Sequence, residues 1–348
     1  MGKKFLIVWA LLMTFIAGGL TDFEAMRLLG KTNLDNKSAT SAPMMGQTES
    51  GLGSSSANWQ PDWVRYNGEI YDYNEDITTF LIMGIDKDDE EVQKAPEGDD
   101  GGQADALFLL VINPHDESIK VIGINRNSMT DVDIYDEYGR YQTTIVAQIA
   151  LQHAYGDGME ESCEHQVKAV SNMFYQLPIH GYAAINMSAI PTLNDQVGGV
   201  DVEVLEDLTK FDKSLVKGEF VHLMGMSAFY YCKARDVNVY GSNDLRLERQ
   251  RQYINGFIAA VRAQTKDNPN AAVDLFKSVK SMMVTDITVD EISYLAPMVS
   301  GYSFNTNDLR MVEGKTQKTY ELEEFIVDED DLYKLILEIF YEKVGNAG

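Results

Sequence analysis

Three short stretches of this chain hold charge where the surrounding pattern asks for structure. Asp105 follows a run of glycines, Arg126 closes an apolar run, and Asp244-Leu245-Arg246-Leu247-Glu248-Arg249-Gln250 lies far downstream. A guanidinium is a planar fork of donors that matches carboxylate and phosphate oxygens in pairs, and carboxylates with water suit Mg2+. Together these residue types point to gripping phosphate or pyrophosphate with a divalent metal between. Arg246 and Arg249 are three positions apart, and Arg246 and Gln250 four, so in a helix they share a face that Tyr253 continues. Arginines in a helix's first turns oppose its dipole, which suits guanidinium groups that face an anion. A salt-bridged solvent face using Asp244 and Glu248 is the alternative. Lys233 and Arg235 bracket Ala234 just upstream.

The elements that must position these residues are legible from hydrophobic periodicity. Residues 80–85 form a continuous apolar run, as for a strand buried on both faces, and 106–112 form a second. The turn Asn113-Pro114-His115-Asp116 predicts that 119–124 returns as a hairpin partner. Asp86 then follows one strand and Asp105 precedes the next, so both carboxylates could project at one sheet edge, where ligands of open α/β sheets collect. Two solvated loop acids are the bland reading of the same spacing. Arg126 ends the third strand and is placed near Asp105 across the hairpin, flanked by Asn125 and Asn127. A simple ion pair is the alternative there.

Further along, 143–155, 163–176, 225–233 and 244–263 read as helices, and 182–185 and 200–204 as strands. Strands alternating with helices predict a layered α/β domain. The pattern from about residue 268 reads as helix-rich. Its last helix carries Leu332, Leu335, Ile336, Ile339 and Phe340 on one face, with Asp328, Asp330 and Asp331 at its start, where the dipole favours anions. Residues 131–136 fail the calcium-loop pattern at the fifth position and lack its glycine. His153 and His165 are too far apart to share one helix face as a metal pair, and read as structural. Cys163 and Cys232 could form one disulfide in an exported chain, although the apolar run 229–232 favours a buried thiol at Cys232.

The chain has 348 residues and a net charge of −25, from 29 basic and 54 acidic residues. That excess argues against a nucleic-acid footprint and against loose attraction to anionic lipid heads. Lys3-Lys4 precede an apolar run from Phe5 to Leu20 without an A-x-A cleavage pattern, as for an uncleaved signal-anchor over 1–22 with its basic end inside the cell. The expected organisation is that anchor, a Ser-, Gly- and Asn-rich tether over 23–75, a domain over 76–265 and a helix-rich extension over 266–348.

Taken in order, the motifs resemble the LytR-CpsA-Psr family, from about Thr79 to Val261. The family's G-x-D element is Gly84-Ile85-Asp86, and its R-S-D-T-like element is Gln103-Ala104-Asp105-Ala106. I-N-P is Ile112-Asn113-Pro114, I-P-R-D is Ile124-Asn125-Arg126-Asn127, and A-Y-x-G-G is Ala154 to Gly158. V-G-G-V is Val197 to Val200, L-x-G-x-x-A-L-x-Y-x-R-x-R is Leu223 to Arg235, and D-x-x-R-x-x-R-Q is Asp244 to Gln250.

The resemblance implies a mixed central sheet sandwiched by helices. It implies a membrane-anchored extracellular enzyme that moves a glycopolymer (teichoic acid or capsular type) from an undecaprenyl-pyrophosphate carrier onto peptidoglycan. Arg126, Lys233, Arg235, Arg246, Arg249 and Gln250 would hold the pyrophosphate. Mg2+ or Mn2+ on Asp86 and Asp105 would offset charge on the leaving phosphate. Asp105 or Asp244 could assist deprotonation of the acceptor. Three positions depart from the family: Gln103 stands where arginine is common, Asn127 where Asp is usual, and Lys233 where Arg is usual. Lysine keeps the charge but loses the fork. A polyprenyl-pyrophosphate pyrophosphatase and a non-catalytic lipid- or glycan-binding protein are the rivals.

Overall fold

The computed structural model describes residues 24–37, 42–45, 59–60, 62–87, 91–96, 100–136, 138–236, 239–268, 270–319 and 322–344. The apolar run expected to be a membrane anchor lies outside them. Among the described residues no helix is long and apolar enough to cross a membrane.

The chain begins with helix α1 (residues 24–37), then β1 (Trp63–Tyr66), β2 (Glu69–Tyr73), β3 (Thr78–Ile85), β4 (Ala104–Asn113) and β5 (Ser118–Ile124). Next come β6 (Met129–Tyr135), β7 (Tyr141–Gln148), α2 (Leu151–Ala154), α3 (Glu160–Met173), β8 (Gly181–Asn186), α4 (Ile190–Gln196), β9 (Val200–Glu203) and β10 (Phe220–Leu223). Helices α5 (Met226–Lys233), α6 (Ser242–Asp267) and α7 (Ala271–Ser278) lead to β11 (Met283–Thr285), α8 (Val289–Val299) and β12 (Leu309–Met311). The hairpin β13 (Gly314–Thr319) and β14 (Leu322–Val327), then α9 (Glu329–Phe340) and β15 (Tyr341–Lys343), complete it.

The central sheet is mixed, in the order β11-β8-β3-β4-β5-β12. β4 runs antiparallel to both β3 and β5, its pairing with β5 being the hairpin that the sequence reading anticipates, whereas β8 lies parallel to β3 and β12 parallel to β5. Strand alternation sorts the apolar runs onto two faces. Leu81, Met83, Leu107 and Leu109 meet α3 and α9 through Val170, Phe174, Ile336 and Phe340. Phe108 and Val121 meet Ile254 and Ile258 of α6 from the other side. Burial on both faces is why these strands are continuously apolar.

The sheet departs from the sequence reading in three places. Residues 143–148 are not helical but the second strand of a hairpin with β6. Thr143, Thr144, Ile145 and Val146 are β-branched, and that preference wins over the apolar spacing. The tether is not structureless throughout. Leu34 of α1 is buried, Lys37 pairs with Asp286 and Glu291, Met45 enters the main core, and ordered strands begin at Trp63. Residues 266–348 are no appended extension, since β11 and β12 form both outer strands of the central sheet and β15 pairs with β2. Both cysteines are buried and free.

Candidate active site

A β-bulge aims Asp105. Gly84 pairs with Ala106 but its neighbour Ile85 pairs with Ala104, so Asp105 is the extra residue on β4. A bulge turns its residue out of the regular alternation. Asp105 thereby meets two guanidinium groups: Arg126 Nε is an ion-pair partner of Oδ1 at 3.1 Å, and Arg246 Nη1 donates to Oδ2 at 2.7 Å. Asp86 follows β3 directly and its backbone N–H donates to the Gln103 carbonyl at 3.0 Å. Both carboxylates line one cavity. Just before the bulge, Gly102 has φ +85°, and a Cβ there would meet Ile85 and Lys87 side-chain carbons at 2.9 Å. Its carbonyl accepts from His153 Nδ1 at 2.8 Å. Burial holds that imidazole neutral, with a pKa lowered to about 4.

The cavity measures about 520 Å3 and is lined by Asp86, Lys87, Asp100, Asp105, Arg126, Lys233, Arg235 and Arg246 on its charged side. Phe211, Phe229 and Tyr230 line it elsewhere. Arg126 and Arg246 are buried, Arg235 half-buried. Burial lowers the pKa of Arg126; Asp105 counters this, while Arg246 and Arg235 push it down further. Burial also lowers Arg235, with repulsion from Arg246 next. A guanidinium does not deprotonate in a protein, so these directions describe the cost of burial first and repulsion between like charges second. An anion in the cavity would relieve it. Arg126 Nε–H is moreover buried without a hydrogen-bond acceptor, its pairing with Asp105 being ionic only. Lys233 Nζ pairs with Asp86 Oδ1 at 3.2 Å and lies 5.2 Å from the Phe229 ring centre.

Three of the expected site residues are spent elsewhere. Arg249 is completely buried, outside the cavity lining, and donates to the carbonyls of Tyr231 and Ala234 while pairing with Glu206 at 2.7 Å. Gln250 donates to the Cys232 carbonyl at 3.2 Å. Both therefore fasten the end of α5 to α6. The carboxyl end of a helix has unpaired carbonyls, and these side chains satisfy them. Asp244 accepts from Asn125 Nδ2 at 3.3 Å and from Thr316 Oγ1 at 3.1 Å, which buttresses the turn that carries Arg126.

Sequence reasoning missed Asn243, whose Oδ1 accepts from Arg246 Nη2 at 2.8 Å and whose Nδ2 donates to Asn125 Oδ1 at 3.0 Å. Its place beside Asp244 at a helix start was the available signal. Gln103, noted only as a departure, accepts from Arg126 Nη2. Asn127 is buried, and its carbonyl accepts from the Phe325 N–H.

The donor set admits a hard cation. A carboxylate has about four lone-pair sites, of which Asp105 uses two. Asp86 is about half exposed at the cavity. Among the described residues no group of three or more His, Cys, Asp or Glu converges. A Mg2+ or Mn2+ held by these two carboxylates would retain waters and complete its shell with substrate phosphate, and would not sit in a closed protein cage.

The fold is an α/β domain with a guanidinium-lined cavity at one edge of its sheet. The LytR_cpsA_psr family model matches residues 37–338, most of the chain, and the chain belongs to that family. Among curated relatives, the polyisoprenyl-teichoic acid–peptidoglycan teichoic acid transferase TagU of Bacillus anthracis is 25% identical over 244 residues, covering 70% of this chain and 71% of its own. TagU of Halalkalibacterium halodurans is 26% identical over 261 residues, covering 75% and 77%. The crystal structure of B. subtilis TagV aligns with a TM-score of 0.59 at 21% identity, covering 76% of this chain and 95% of that one. A structure of TagT bound to LI-WTA aligns at 0.56 and 18% identity, covering 76% and 89%. These structural likenesses show the fold.

Proposed function

We propose that this chain is a phosphotransferase that moves a glycopolymer from a polyprenyl-pyrophosphate carrier to a hydroxyl of peptidoglycan, releasing lipid phosphate. The observation that carries the reading is the convergence of Arg126, Arg235 and Arg246 in one cavity, where burial and repulsion from Arg246 leave Arg126 and Arg235 in want of negative charge. A pyrophosphate supplies that charge in a geometry that guanidinium forks match. The TagU relatives support the transfer and both partner classes by their names.

In this reading Arg126, Arg235 and Arg246 grip the pyrophosphate, and Lys233 adds a fourth cation at the cavity edge. Asp86 and Asp105 would hold Mg2+ or Mn2+, which when bound offsets charge on the leaving phosphate. Asp105 also fixes Arg126 and Arg246 against each other, so their forks are set before substrate arrives. The ring faces of Phe211, Phe229 and Tyr230 offer an apolar wall for the first units of the prenyl chain. The apolar run 5–20 would place the enzyme in the cell membrane as a single-pass protein with this domain outside.

The test uses the full-length chain in detergent with a short-chain prenyl-pyrophosphate glycan, a peptidoglycan oligomer and Mg2+. Transfer that Arg126→Ala and Asp105→Ala abolish is the expected result. Lipid phosphate released equally well without the oligomer would make it a pyrophosphatase. Donor binding without turnover, insensitive to Arg126→Ala, would make it a binding protein.

A further inference from the structure

A second cavity, of about 570 Å3, adjoins the first. Gln103, Arg126 and Arg235 line both, so the Arg126–Gln103 hydrogen bond is part of the partition between them. The outer wall comes from three separate segments: Val146 of the β6–β7 hairpin, Val239 and Tyr240 ahead of α6, and Leu322 of β14. These four side chains are between 52% and 66% exposed, although all are apolar or aromatic. Lys318 and Glu323 stand among them. None belongs to the pyrophosphate grip.

The two linings differ in kind. The first cavity joins guanidinium groups to packed aromatic rings, with Tyr230 stacked on Phe211 and edge-on to Phe229, which suits a phosphate carrying a prenyl chain. The second mixes exposed aliphatic faces and one tyrosine ring with Lys318 and the carboxylates of Glu323 and Glu324. That mixture suits a saccharide, whose ring faces are apolar and whose hydroxyls seek charged partners. Phosphoryl displacement also requires the attacking and leaving oxygens to lie roughly in line across phosphorus. With lipid phosphate leaving on the side of the first cavity, the attacking hydroxyl must arrive from the other side of Arg126.

We propose that the second cavity is the acceptor subsite and takes a sugar of the wall glycan; this rests on the transferase reading above. The acceptor oxygen forms a bond to the phosphorus that bears the donor glycan, while the bond from that phosphorus to the lipid phosphate oxygen breaks. The hydroxyl proton passes to Glu323. Its Oε1 already accepts from the Gly241 N–H at 2.7 Å, which anchors the carboxylate, and its charge is felt by Arg235.

The experiment measures KM for donor and for a defined peptidoglycan glycan oligomer separately, with full-length protein in detergent. Tyr240→Ala and Leu322→Ser each remove one wall contact worth a loss of up to about tenfold in acceptor KM, with donor KM within about twofold of wild type. Both side chains are exposed, so an unchanged thermal midpoint checks that the fold survives. Glu323→Gln is expected to lower kcat at saturating acceptor. Acceptor KM unchanged in both wall variants, or donor KM rising in parallel, would overturn the subsite. A wild-type kcat in Glu323→Gln would overturn the proton step. Wild-type protein that releases lipid phosphate without transfer would instead sink the transferase reading, and the subsite with it.

Discussion

Arg246 and Arg249 sit one turn apart on the same helix, both buried, yet they end in different chemistry. Arg246 meets Asp105 and Asn243 at the wall of an open cavity, beside Lys87, Arg126, Lys233 and Arg235. Arg249 runs into the protein, where two backbone carbonyls accept from its Nη groups and Glu206 pairs ionically with its Nε at 2.7 Å. Burial is therefore no guide to function here. An arginine is available to a ligand when like charges crowd it and open space lies before it. It is structural when backbone acceptors close around it.

The first way to break this contrast is Arg249→Met. It leaves Glu206 without its partner and two carbonyls at the end of α5 without donors. Loss of one partner of a buried pair costs about 3–5 kcal/mol. The urea midpoint should fall accordingly, while catalytic rate per folded molecule stays close to wild type. A folded variant that has lost turnover would put Arg249 back among the substrate ligands.

Arg126→Ala should do the opposite. One preorganised donor at developing charge is worth about 10²–10³ in rate. Asp105 keeps Arg246 as a partner, so the loss should fall on transfer and little of it on the thermal midpoint. Equal losses of stability and rate would erase the distinction between the two arginines.

How far this was legible depends on what each residue needed. Asp86, Asp105 and Arg126 were placed at one sheet edge because continuous apolar runs and a turn sequence define β3, β4 and β5 without help from distant chain. The bulge that aims Asp105 was not legible, since it is a property of strand pairing. Arg246 and Arg249 were assigned one role because helix spacing gives direction around an axis but not what lies opposite. The carbonyls of Tyr231 and Ala234 that claim Arg249 are brought there by the packing of α5 on α6. β11 and β12 escaped notice because each is three residues long and is held by its neighbour, not by its own pattern. Glu323 escaped for the same reason, being far from the site until β14 folds back.

A third test concerns cations that the interior refuses. His153 and His180 both have their pKa pushed down to about 4 from the ordinary 6.5 by burial. His180 Nδ1 accepts from the Thr79 N–H at 3.0 Å, a bond its protonation at that nitrogen would break. The unfolded chain takes up protons at these positions near pH 6.5 and the folded chain only near pH 4. Stability is thus fully present above pH 6.5 and falls as pH drops toward 4, each histidine contributing a slope of at most about 1.4 kcal/mol per pH unit. Urea midpoints between pH 6.5 and 5 should show the fall, and His153→Gln should roughly halve its slope. A flat stability profile there would mean that neither imidazole is held neutral.

The smallest effect is expected from Lys233→Arg, which restores the residue usual in the family. Lys233 is partly exposed, as is its partner Asp86, so solvent screens much of what the charge contributes. The ammonium is a point charge, whereas a guanidinium at the same place could hold Asp86 and a phosphate oxygen together. Donor KM should therefore fall by about twofold to fivefold, within the range of an exposed pair, with kcat little changed. If donor KM rises instead, the lysine fits its substrate better than the arginine would. Lys233 would then mark a donor whose phosphate sits further from Asp86, and the contrast among this chain's cations would extend from which ones meet the ligand to which ligand they were shaped for.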